Sequence, residues 1–80
     1  MSEIETKLAE YIRTKIVKNA KKTVEVNTPL ISSGLVDSFH LVDLGVFVED
    51  EYGVRIEDSE LNAQTFDTIA QLAALIEERL

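Results

Sequence analysis

The segment from Gly34 to Tyr52 sets the terms for the whole chain. A glycine turn leads into Asp37-Ser38. From there, apolar residues fall at helical spacing on two sides rather than one. At about 100° per residue, Leu41, Leu44, Val48 and Tyr52 share one side, the stripe a helix buries in a small bundle. Phe39, Val42 and Val46 fall roughly opposite, beside Asp43, Glu49 and Asp50. A helix that served only a core would carry polar residues there. Single apolar residues on a surface are ordinary. Three of them ringed by acids favour a docking surface for basic partners.

The flanking segments supply the rest of a helical bundle. Ile4, Leu8, Tyr11, Ile12 and Ile16 recur at three- and four-residue steps and predict a helix over 2–17. Ser2 is placed to cap it, with Glu3 and Glu5 in the first turn and Lys15 and Lys18 near the end. Lys18 to Val36 has no helical period and carries Asn19, Asn27, Thr28, Pro29, Ser32, Ser33 and Gly34, so it reads as a long loop. Val24, Val26, Leu30 and Ile31 are its expected anchors. Thr23 to Val26 alternates like a strand but has no partner strand, and reads as extended loop.

Gly53 is a natural stop for the central helix. Val54 and Ile56 are expected to tuck inward. Glu57 to Asn62 is expected to form one helical turn or a short helix, capped by Asp58 or Ser59, with Leu61 inward. The last helix follows, capped by Thr65 or Asp67, with Ile69, Leu72, Ala73, Ile76 and Leu80 on its apolar face and Phe66 packed at its start.

Eighty residues fit one domain, residues 1–80, with a modest core. With no cysteine and one histidine, disulfides and cysteine-based metal sites are excluded and a conventional zinc site is disfavoured. The N-terminus is acidic and lacks an apolar run, and no segment approaches a membrane span, so a cytoplasmic monomer is expected. The net charge is −7. Residues 1–22 hold six bases and three acids, whereas residues 37–60 hold eight acids and one base, Arg55. This polarity argues against nucleic acid, which needs a basic stripe, and favours partners that are basic where they meet mid-chain.

Ser38 sits where the central helix begins. Asp37 is the better cap, which leaves the Ser38 hydroxyl in the first turn, beside unpaired N–H groups and the positive end of the helix dipole. A phosphate attached there is well placed. From the residues alone, capping remains the simpler role for Ser38. Residues two apart on a helix point about 200° apart, so Ser38 and His40 cannot share a proton, and no hydrolase elbow is present. His40 reads as a surface residue. The runs Glu49-Asp50-Glu51 and Glu57-Asp58 lack the alternating ligands and glycine of a calcium loop and read as a solvated face. Gly45, inside the helix, costs about 1 kcal/mol relative to alanine; it serves either a close approach or a short bound group.

Gly34-Leu35-Val36-Asp37-Ser38-Phe39 resembles the prosthetic-group attachment motif of the acyl carrier protein family, and the likeness runs from Ile4 to Leu80. The resemblance implies an all-α, acyl-carrier-like four-helix bundle: three main helices, one short helix and a long first loop. It implies a carrier without catalytic activity of its own. Ser38 is then the attachment site for 4′-phosphopantetheine, transferred from coenzyme A by a phosphopantetheinyl transferase that Asp37 assists. Phe39, Val42, Asp43, Val46, Glu49 and Asp50 belong to the recognition helix. Acyl or aminoacyl ligases and downstream acyl-transferring enzymes are the implied partners. Phe39 replaces the commoner leucine, and His40 stands where fatty-acid carriers often have an acid. Two residues separate Gly34 from Asp37, a spacing similar to D-alanyl and other aminoacyl carriers rather than to fatty-acid carriers. The competing readings are a fatty-acyl or polyketide carrier and, from another class, an unmodified helical adaptor in which Ser38 only caps its helix.

Overall fold

The computed structural model describes residues 2–17 and 24–80. The calls for Lys18, Asn19 and Thr23 lie outside these residues. The element order is helix α1 (Glu3–Tyr11), a π-helical segment (Ile12–Val17), helix α2 (Ser38–Tyr52), a 3-10 turn (Asp58–Glu60) and helix α3 (Ile69–Arg79). The expected three main helices and one short one are present, and no strand occurs among the described residues.

Helix α1 starts as its sequence dictates. The Ser2 hydroxyl accepts from the Glu5 N–H at 3.2 Å, and the Glu5 carboxylate accepts from the Ser2 N–H at 2.8 Å. This reciprocal box satisfies two donors that a helix start leaves open. The expected continuous α-helix over 2–17 is corrected at Ile12, where the winding loosens to π for six residues. A wider turn changes the angular step, yet Ile12 and Ile16 both remain buried.

Helix α1 packs on α3, and its Tyr11 ring stacks on Phe47 of α2 with centroids 4.2 Å apart and planes 16° apart. Lys7 of α1 pairs with Glu51 of α2 on the rim of that contact. Offset aromatic stacking adds about 0.5–1.5 kcal/mol beyond area burial.

The core is wholly apolar among the described residues. It takes Leu8, Ile12 and Ile16 from the first helical stretch, Leu41, Leu44 and Val48 from α2, and Ile69, Leu72, Ala73 and Ile76 from α3. Non-helical segments contribute Val24, Leu30, Val36, Val54, Ile56 and Phe66. Each large side chain so buried is worth about 1.5–3 kcal/mol. The expected anchors Val24 and Leu30 are buried, while Val26, Ile31 and Leu61 are half-buried against the core.

Three terminal details differ from expectation. Thr68, not Thr65 or Asp67, caps α3, its hydroxyl accepting from the Gln71 N–H at 3.1 Å. Leu80 lies past the end of α3 and is 69% exposed rather than on the apolar face. The 3-10 turn is capped by Glu57, whose N–H donates to the Glu60 carboxylate at 3.0 Å, rather than by Asp58 or Ser59. Glu60 also pairs with Arg79 near the end of α3, and Arg79 donates to the Arg55 carbonyl at 3.2 Å. Together these bonds tie the 3-10 turn to the last helix.

Candidate functional site

The candidate site is the start of α2, with three parts: the loop that leads in, the cap, and the outer face of the helix. The loop closes on itself first. Leu30 accepts from the Val36 N–H at 2.9 Å, and Gly34 turns the chain with φ +80 and an N–H bond to the Ile31 carbonyl at 3.1 Å. A left-handed φ is the conformation glycine adopts without a Cβ penalty, so this turn explains Gly34. Val36, 2% exposed, is sunk in the core just before the helix opens.

Asp67 holds this loop from the far end of the chain. Its carboxylate accepts from the N–H groups of Ile31 and Ser32 at 2.8 and 2.9 Å and from the Ser32 hydroxyl at 2.5 Å. Its carbonyl accepts from the Leu30 N–H at 2.6 Å. The Ser32 hydroxyl first, and then the loop N–H groups, hold the Asp67 carboxyl below its usual range. The sequence shows a helix-start aspartate here; the loop it grips lies 35 residues earlier. Only the pairing of an acid before the last helix with a serine-rich turn hints at the contact.

Asp37 caps α2, as expected. Its Oδ1 accepts from the His40 N–H at 2.9 Å. The His40 Nδ1 stands 2.9 Å from the same oxygen. The bond from the His40 N–H lowers the Asp37 pKa most, with the imidazole adding to it. His40, expected at the surface, lies there half-buried and also engages the cap. With the cap supplied by Asp37, Ser38 is the first residue of α2 and is exposed.

The outer face of α2 is apolar in solvent. Phe39 is 83% exposed, Val42 52% and Val46 53%. Asp43, Glu49 and Asp50 are exposed around them. All six residues read as the recognition set thus share the accessible surface. Glu49 is partly engaged within the chain, 3.7 Å from the Arg55 guanidinium, which also bonds Glu57 at 2.9 Å. Tyr52, placed on the core side, is half-buried against it.

Val42, Gly45, Val46 and Glu49 line a cleft of about 140 Å³ against Arg55, Ile56, Asp58 and Leu61. A Cβ on Gly45 would meet only the Leu61 Cδ2, at an ordinary 3.8 Å. Close packing of another element therefore does not explain this glycine. No helix among the described residues is long and apolar enough to cross a membrane, and no group of acids and histidine among them could hold a metal ion.

Three comparisons bear on this geometry. Residues 7–76 match the family model described as a phosphopantetheine attachment site. The chain is 31% identical over 74 residues to a probable acyl carrier protein, PigG, of Serratia sp. (strain ATCC 39006), covering 92% of this chain and 85% of that protein. It also superposes, with a TM-score of 0.76 and 35% identity, on a chain of a crystal structure described as an FAD-dependent dehydrogenase. That alignment covers 86% of this chain and 97% of the other. The bundle, the exposed helix start and these likenesses agree: the chain belongs to the phosphopantetheine attachment family and is an acyl-carrier-like protein that bears a prosthetic arm and performs no catalysis itself.

Proposed function

We propose that Ser38 carries the 4′-phosphopantetheine and that the arm's terminal thiol holds an aminoacyl or short acyl group as a thioester. The observation that carries the site is the division of labour at the start of α2: Asp37 takes the cap, and Ser38, next along, is exposed. The residues fit the group. A hydroxyl in the first turn offers a phosphodiester the positive end of the helix dipole. Asp37, held by His40, stands beside it for the attaching transferase. When bound, the arm supplies a thiol that forms the thioester; the chain's own residues present and orient it.

The cargo reading rests on the two-residue spacing between Gly34 and Asp37. Phe39, Val42, Asp43, Val46, Glu49 and Asp50 form the surface that basic faces of partner enzymes read. Weak, fast docking steered by charge suits a protein that must visit several enzymes in turn. The domain spans residues 1–80 and works as a cytoplasmic monomer.

Incubation with coenzyme A and a broad-specificity phosphopantetheinyl transferase, followed by intact mass measurement, tests the site. A mass gain that disappears in Ser38→Ala supports it. A gain that survives in Ser38→Ala removes the assignment. Loading the holo-protein with candidate ligases and a panel of amino acids, short acids and fatty acids tests the cargo. Preferential loading of a fatty acid overturns the short-cargo reading. A flavin-dependent dehydrogenase belongs in the downstream panel, given the crystal structure from which the structural relative comes.

A further inference from the structure

The geometry points to Asp67 as a positioning residue for Ser38, acting through the loop that delivers it; this inference rests on Ser38 being the modified residue. The path is continuous. The Asp67 carboxylate takes the N–H groups of Ile31 and Ser32 and the Ser32 hydroxyl, and its main-chain carbonyl, which Asp67→Ala keeps, takes the Leu30 N–H. The Leu30 carbonyl then takes the Val36 N–H, and Val36 is followed directly by the Asp37 cap and Ser38. A contact made at the start of α3 thereby sets the entry into α2.

The carboxylate is committed to the loop rather than to its own helix. Thr68 supplies the α3 cap, and the Asp67 N–H is held by the Gln71 side chain at 2.7 Å. A second cross-link, the Ala70 N–H to the Val26 carbonyl at 3.0 Å, fastens the same loop to the first turn of α3. Hydrogen bonds to an ionised carboxylate are roughly twice as strong as neutral ones. Among the described loop residues, apolar burial is full at Val24, Leu30 and Val36 and partial at Val26, Ile31 and Leu35. Between the last two, Ser32, Ser33 and Gly34 are exposed, and the acid restrains the backbone there.

Losing the acid leaves the core intact and loosens the approach to Ser38. A transferase must then order the loop as it binds, which raises KM more than it lowers kcat. Asp67→Ala is expected to raise KM for the apo-protein about tenfold, with kcat within about twofold. Asp67→Asn, which keeps one acceptor oxygen for the Ile31 and Ser32 N–H groups, is expected to recover most of that loss.

The test combines transferase kinetics with amide hydrogen exchange on the full chain. The expected result is faster exchange at Ile31, Ser32 and Val36 in Asp67→Ala, unchanged protection of Leu72 and Ile76, and the KM rise. Faster exchange with unchanged kcat/KM overturns the inference, because the latch would then be structural only. Should Asp67→Ala fail to fold, Ser32→Ala removes a single donor and is read in the same way, with unchanged kcat/KM again overturning it. Wild-type protein that gains no mass at Ser38 overturns the functional reading and this inference together. Modified wild type alongside an equally efficient Asp67→Ala overturns the latch alone.

Discussion

The two sides of helix α2 have similar side chains and opposite fates. Leu41, Leu44 and Val48 are 5%, 1% and 0% exposed, whereas Phe39, Val42 and Val46 are 83%, 52% and 53% exposed. Hydrophobicity alone does not separate them. Angular position does, because α1, α3 and the anchored loop close over one side only. The difference teaches that a helix at the centre of a small fold can divide its apolar residues: one side holds the bundle together, and the other stays in solvent, where the proposed docking takes place. Acids spaced around the free side keep it from acting as a plain sticky patch.

The largest expected effect separates the two sides by stability. Leu44→Ala should lower the unfolding free energy by about 2–5 kcal/mol in denaturant titration, whereas Val46→Ala should change it by less than about 0.5 kcal/mol. Equal losses would break the distinction. The next contrast reverses it through function. Reversing Glu49 and Asp50 to lysine should cut kcat/KM with a partner enzyme about tenfold at low salt and by less at high salt, with the fold unchanged by circular dichroism. Unchanged kinetics at low salt would mean that the outer side is not read by charge.

Gly45 lies where the two sides meet. Gly45→Ala should raise helix stability by about 1 kcal/mol, since the new methyl meets Leu61 at normal contact. A fall in stability would show that the space beside Leu61 is tighter than its 3.8 Å approach implies.

The smallest effect concerns pH. Glu60, bonded to Arg79, titrates at about 2 rather than near 4.5. A depressed carboxylate adds stability above its unfolded pKa and loses it as protons return in the folded state. Its contribution should therefore be full above about pH 4.5 and fade towards pH 2. Asp67 acts in the same direction, with its advantage lost as pH falls below its unfolded value near 3.8. Glu60→Gln should flatten the acid limb of the melting-temperature profile slightly. An unaltered limb would show that the exposed pair with Arg79 adds nothing measurable.

Most of the helical plan was legible because its signals are local. Period and cap together marked α2: Asp37 precedes an apolar stripe and Gly53, left-handed at φ +69, ends it. Ser2 with Glu5 marked α1 in the same way. Four features were hidden, each for a physical reason. The Asp67 latch joins residues far apart in sequence, and a helix-start acid usually serves its own helix. The π winding after Tyr11 keeps Ile12 and Ile16 buried and so preserves the periodic signal of an α-helix. Thr65, Asp67 and Thr68 are all good caps, and only the backbone path selects Thr68. The Tyr11–Phe47 stack depends on how two helices cross, which neither helix encodes alone.

Val36 has a mechanical consequence. It is a plug seated in the interior two positions ahead of Ser38, the proposed tether point, with its backbone pinned to Leu30. With the arm on Ser38 as proposed, a tug transmitted from an enzyme gripping the cargo would meet that plug before it could draw out any chain. The swing radius of the load is then set by the flexible arm itself, and the distance between two enzymes served in succession is bounded by that arm and by tumbling of the whole protein.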